Sequence, residues 1–226
     1  MFIIMNHIFP TQNWFENEVK RMDIQTYRLL GIIGALLMVL VFLPSVGGLF
    51  MLIGIIFVLV ALKGYGDAYK DGSIIHNAVY TLVFEIIGAV VCVGVIIYGA
   101  MGFLASLGIN NLADLRSWQA IDWQNAINVS NILPFIGAII LGLVILFAFT
   151  VLASLYFKKA MNTLSGKTGV KLFHTTGTVF FVGALLTIIL IGFIVIWVAF
   201  ILLMISFYKS KPLEQKQQPQ QQAPPL

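Results

Sequence analysis

The chain has 226 residues, of which 60% are apolar and 10% charged, and its mean hydropathy is +0.98. A soluble domain carries about 25% charged residues, so this composition excludes a water-soluble enzyme and identifies an integral membrane protein. The net charge of +4 does not point to nucleic acid, because the Lys and Arg residues flank apolar runs.

Residues 1–28 read as a loosely ordered cytoplasmic lead-in, with a short interfacial helix carrying Phe15, Val19 and Met22 on one face as the alternative. Met1–Pro10 lacks the basic start and long apolar core of a signal peptide, so the first span is expected to act as an uncleaved anchor. Leu29–Leu62 is apolar over 34 residues, about 50 Å as one helix and too long for one crossing of a roughly 30 Å hydrocarbon layer. Its centre, Pro44-Ser45-Val46-Gly47-Gly48, is a helix stop followed by turn residues, which predicts two spans at 29–44 and 48–63. The 63–73 segment reads as a solvated loop, although Asp67 and Asp71 would share a face if it were helical. Ile74–Leu107 has no central proline and predicts one span, about 76–101, with an outer extension.

The segment 108–131 is expected on the outer surface. Leu112, Leu115, Trp118 and Ile121 recur at helical spacing, and Trp118 and Trp123 suit the aromatic belt at the membrane–water boundary, which predicts an interfacial helix. Asn128-Val129-Ser130 is a glycosylation sequon beside the next span, 132–157. The 158–173 stretch, with Lys158, Lys159, Lys167 and Lys171, reads as an inner loop that anchors topology or attracts anionic lipid. The last apolar run carries only Gly192 as a break. It predicts spans 174–191 and 193–209, with one tilted helix, and so five spans in all, as the alternative. Six spans place 12 of the 13 basic residues on one side, and five leave a 9 to 4 split. The positive-inside rule therefore selects six spans with both termini cytoplasmic. Residues 210–226, rich in Gln and Pro, read as a disordered tail.

Few residues carry chemistry. Glu85 is the one acidic or basic residue well inside a predicted span, and such a residue is a site hypothesis by default. It either binds a proton or cation during transport, or serves as a hydrogen-bonding group between helices, with Thr150, Ser154, Thr178 or Thr187 as candidate partners. Asn77, Thr81 and Glu85 are spaced by four and, with His76, form a polar stripe from the inner boundary. The single cysteine, Cys92, excludes an intramolecular disulfide. His7, His76 and His174 are too far apart to form a metal motif, so neither metal nor cofactor is expected. Gly31/Ala35, Gly88/Cys92, Ala138/Gly142 and Thr150/Ser154 are pairs of small residues that let helices approach. Gly34-Ala35-Leu36-Leu37 recurs as Gly183-Ala184-Leu185-Leu186, a faint echo of the kind internal repeats leave.

Leu29–Leu62 with Lys63-Gly64-Tyr65 and Asp67-Ala68-Tyr69-Lys70-Asp71 resembles a mostly archaeal membrane family, the domain of unknown function nine-nine-six family. Thr168-Gly169-Val170-Lys171-Leu172-Phe173 and Gly183-Ala184-Leu185-Leu186 extend the resemblance, which covers roughly 28–208. It implies a membrane location and no catalytic residues. The expectation is an all-α, six-span plasma-membrane bundle that is not an enzyme. A structural or accessory role comes first, with a small proton- or cation-coupled carrier using Glu85 as the alternative. The lipid bilayer is its surroundings, and a second copy or a larger membrane complex its partner class.

Overall fold

A computed structural model describes residues 11–109 and 128–210, with side chains from 24 onward in the first segment. The described residues form six long helices: α1 (Thr11–Val39), α2 (Gly47–Ala68), α3 (Ser73–Ser106), α4 (Val129–Thr168), α5 (Lys171–Leu186) and α6 (Gly192–Lys209). Taken with the 3₁₀ turns that follow α1 and α5, each provides a stretch long and apolar enough to cross a membrane. Without water inside the bilayer, every backbone N–H must find its partner within the helix, and these uninterrupted apolar runs meet that condition. The protein is an all-α, six-span, multi-pass membrane protein. The predicted interfacial helix, with Trp118 and Trp123, and all of the tail beyond Ser210 lie outside the described residues.

The helices follow one another around a ring. Each packs on its neighbour in sequence, and α6 closes the ring on α1. The core lies towards the end where α2 turns into α3 and α4 into α5. There Tyr65, Ile74, Met161, Leu164, Phe173, Leu203 and Phe207 are fully buried. Away from that end α3 and α4 pack mainly on each other, as Gly88 on Phe149, Gly142 on Cys92, Gly99 on Ala138 and Phe103 on Phe135. Their other faces carry large exposed apolar side chains such as Val90, Met101 and Val144.

The predicted loops are shorter than expected. The structure replaces the 158–173 loop with helix. α4 runs on to Thr168, its last turns held by buried Ala160, Met161 and Leu164. Gly169, at φ +72°, ends it in the left-handed conformation and returns its N–H to the Ser165 carbonyl at 2.9 Å. Likewise α2 continues to Ala68 and α3 starts at Ser73, so 63–73 is mostly helical and Asp67 and Asp71 do not share a helix face. At the other end of the chain, α1 begins at Thr11 and is continuous with the first span. In each case tertiary packing or simple helix continuation outweighs a polar composition that sequence alone reads as loop.

The two short hairpins turn by different means. Between α1 and α2, Leu43 is extended ahead of Pro44 and Ser45 takes a positive φ of 66°. Between α5 and α6, a 3₁₀ turn at Thr187–Ile189 leads to Leu190 at φ +63°. Gly192 sits where a side chain would strike the backbone of Gly183, Leu186 and Thr187. It permits a close hairpin, and this makes six spans rather than five. The GALL echo places Gly34 against Gly54 and Gly183 against Gly192 and Ile196, each inside its own hairpin. The hairpins are not arranged symmetrically, because α1 packs on α6 while α2 has no comparable contact with α5.

Candidate functional site

Glu85 lies on α3 twelve residues past Ser73, about 18 Å by helical rise, and is partly buried against α4. Of its four candidate partners the structure selects Thr150, whose Oγ1 donates to Glu85 Oε2 at 3.3 Å. Ser154 and Thr187 return their hydroxyl protons to the carbonyls of Val151 and Ala184, each at 2.7 Å. Thr178 Oγ1 is buried without a partner among the described residues. Phe84, Phe149 and Tyr156 form an aromatic cluster beside the Glu85–Thr150 pair.

The polar stripe leading to Glu85 shares a helix face but is not a hydrogen-bonded chain. Asn77 Nδ2 donates to the Ser73 carbonyl at 2.8 Å, and Thr81 Oγ1 donates to the Asn77 carbonyl at 3.0 Å. Both groups thus bond their own helix one turn back, which any such residue in a span can do. His76 is exposed near the start of α3, and His174 is exposed near the start of α5. Asn128 is exposed immediately before α4. No group of three His, Cys, Asp or Glu that could hold a metal occurs among the described residues.

A second polar region lies at the end of the bundle that holds the α2–α3 and α4–α5 turns. Ser210 Oγ donates its one proton to the Phe207 carbonyl at 2.7 Å, so the 2.5 Å contact with Tyr65 requires the phenol to donate. Arg28 reaches the Ser210 carbonyl from α1 at 3.3 Å. Deeper, Thr176 on α5 and Ser206 on α6 share a 3.2 Å hydroxyl contact. At the turns, Lys167 pairs with Asp71 at 3.0 Å. Asp71 also accepts from the Ser73 hydroxyl and N–H at 2.7 and 3.1 Å, capping α3. The Ser73 hydroxyl bond, with Lys167 next, holds the Asp71 carboxyl below its ordinary value.

From the sequence, Arg28 is a topology charge and Lys167 a topology charge or a lipid-attracting one. Nothing in their spacing signals the Ser210 or Asp71 contacts, which lie 182 and 96 positions away along the chain. The small-residue pairs fare better. Gly31 packs under the Phe207 ring, Ala35 is fully buried, and Gly88/Cys92 and Ala138/Gly142 line the α3–α4 seam. These pairs serve packing inside one chain.

Comparison with known proteins gives a family and no activity. The sequence model of the family described as "Protein of unknown function (DUF996)" matches residues 50–201, about two thirds of the chain. The uncharacterized protein MJ1644 of Methanocaldococcus jannaschii is 25% identical over 188 residues, covering 83% of this chain and 93% of that protein. No solved structure matches.

Proposed function

The chain belongs to the family of proteins of unknown function DUF996, and from that footing we propose that it is a structural or accessory component of the plasma membrane rather than an enzyme. The observation that carries this reading is how the polar side chains at membrane depth are used. Glu85 accepts from Thr150 across the α3–α4 seam, and Thr81, Ser154 and Thr187 bond their own helices. A carrier needs groups that exchange partners with a passing ion, whereas these groups fasten helices to one another and to themselves.

The orientation in this reading puts both termini in the cytoplasm. Its support is the distribution of charge: Arg28, Lys63, Lys70, Lys158, Lys159, Lys167, Lys171 and Lys209 all belong to the end of the bundle that holds the α2–α3 and α4–α5 turns. A second copy or another membrane subunit is the partner, seated on the α3–α4 hairpin. There Gly94 and Gly102 have nothing within 4 Å of where a side chain would start, so a neighbouring backbone could approach closely.

Proton and cation flux in proteoliposomes tests the assignment, with wild type compared against Glu85→Gln. The accessory role predicts no flux above protein-free vesicles in either. Flux in the wild type that disappears in the folded variant would overturn it in favour of a carrier working through Glu85.

A further inference from the structure

The inner ends of α1, α2 and α6 enclose a guanidinium with no counter-charge among the described residues. Arg28 is partly buried, and its Nε is shielded from solvent with no hydrogen-bond partner. One terminal nitrogen makes the long bond to the Ser210 carbonyl at 3.3 Å. The side-chain acceptor beside that carbonyl is already committed. Ser210 Oγ receives the Tyr65 phenol proton and gives its own to Phe207. Asp71 is occupied by Lys167 and Ser73, in the only ion pair among the described residues. A guanidinium presents its donors in a planar fork, and only a fraction of that fork is used here. The natural complement of the remainder is an oxyanion with several acceptor oxygens, a carboxylate or a phosphate.

The position of Arg28 selects among such anions. It immediately precedes the apolar run that starts at Leu29, so it stands at the depth where hydrocarbon gives way to headgroups. Tyr27 beside it lies against Gly64, level with Lys63. Lys63 on α2 and Lys209 on α6 are both exposed at this boundary, and Asp67, also exposed, is the acid nearest to Lys63 on α2. Among the described residues the local balance is positive, and Asp67 is exposed. A zwitterionic headgroup brings a cation that would find little here, whereas an anionic headgroup finds excess positive charge. We propose that Arg28 binds the phosphate of an anionic phospholipid at the cytoplasmic boundary, with Lys63 and Lys209 attracting the headgroup.

The test is thermal unfolding of the purified full chain in detergent, with additions of phosphatidylglycerol, phosphatidylcholine of the same acyl chains, or inorganic phosphate. Phosphatidylglycerol is expected to raise the wild-type Tm, with phosphatidylcholine and inorganic phosphate leaving it near the baseline. Arg28→Gln should lose most of that rise, Arg28→Lys should keep part of it, and Lys171→Gln, at the start of α5, should keep all of it. Equal loss in Arg28→Gln and Lys171→Gln would mean diffuse attraction to the basic face and overturn the site. An equal rise with inorganic phosphate would overturn the lipid assignment in favour of a free anion. If Arg28→Gln does not fold, an equal rise of the wild type with phosphatidylcholine still overturns the proposal.

Discussion

The crossing of α1 and α2 offers a test in which two identical substitutions should have opposite signs. A methyl group added at Gly34 would lie 2.8 Å from the Gly54 carbonyl oxygen, 2.8 Å from Phe57 Cβ and 2.9 Å from the Val58 nitrogen. Two of these three atoms are backbone, so no rotamer change relieves the contact. Ordinary packing begins at about 3.5 Å, so the helices must part by about 0.6 Å or more, a gap that forfeits a quarter to a half of each contact it opens. Overpacking of this kind costs about 1–3 kcal/mol, and the rigid backbone places Gly34→Ala towards the upper part of that range. Better helix propensity returns up to about 1 kcal/mol, which leaves a net loss of about 1–2 kcal/mol. At about 2–4 °C per kcal/mol for a chain of this size, Tm should fall by about 2–8 °C. Gly137 on α4 is also helical, but nothing lies within 4 Å of its missing Cβ. Gly137→Ala should therefore gain propensity alone and hold or raise Tm by up to about 4 °C. Both values come from thermal unfolding followed by circular dichroism in one detergent. A Gly34→Ala protein at least as stable as the wild type, or an equal fall in Gly137→Ala, would refute the argument from close approach.

Three further outcomes follow from the same geometry. Thr150→Val removes the hydroxyl that reaches Glu85 and should cost about 0.6–1.7 kcal/mol, the range of interhelical hydrogen bonds in membranes; a double-mutant cycle with Glu85→Gln that returns no coupling energy would dismiss the bond. The Asp71 carboxyl is held below its ordinary value of 3.8, so its contribution to stability is present above that pH and drains away as pH falls through the lower folded-state value. Asp71→Asn should flatten the acid side of the Tm–pH profile, and superimposable profiles would show that the capping bonds and ion pair contribute nothing. In the cysteine-free background Cys92→Ala, single cysteines at Lys171 and Asn128 should react with an impermeant maleimide from opposite faces, Lys171→Cys from the cytoplasm; labelling of both from one face would break the six-span orientation.

Much of the fold is legible in the sequence, because a bilayer imposes a length. Apolar runs of 34 residues exceed one crossing, Pro44-Ser45 interrupts the first, and the placement of lysines decides between five spans and six. The break at Gly192 is fainter, since its cause is the closeness of Gly183 and Thr187 across the hairpin rather than any turn signal in the sequence. The end of α4 departs from the sequence expectation for a related reason. Lys158, Lys159 and Lys167 look like loop residues by composition, yet Ala160, Met161 and Leu164 between them are buried and keep α4 helical. The site was half legible. Glu85 stands out as a charge in an apolar run, while its partner, one of four hydroxyl residues equally suitable by type, is fixed only by the register of α4 against α3.

The sequence by itself determined the membrane location, the six crossings and the segregation of positive charge to one side. These depend on run length and on charge at the ends of runs, quantities that hydrocarbon thickness and the cost of charge in lipid make readable residue by residue. Only the tertiary structure decided that Gly34 is a contact and Gly137 is not, that Glu85 belongs with Thr150, and that Arg28 is left without a counter-charge among the described residues. Inside a bilayer almost every surface is equally apolar. Hydrophobicity therefore separates protein from water but not one helix face from another, and that last choice falls to shape and to a few hydrogen bonds.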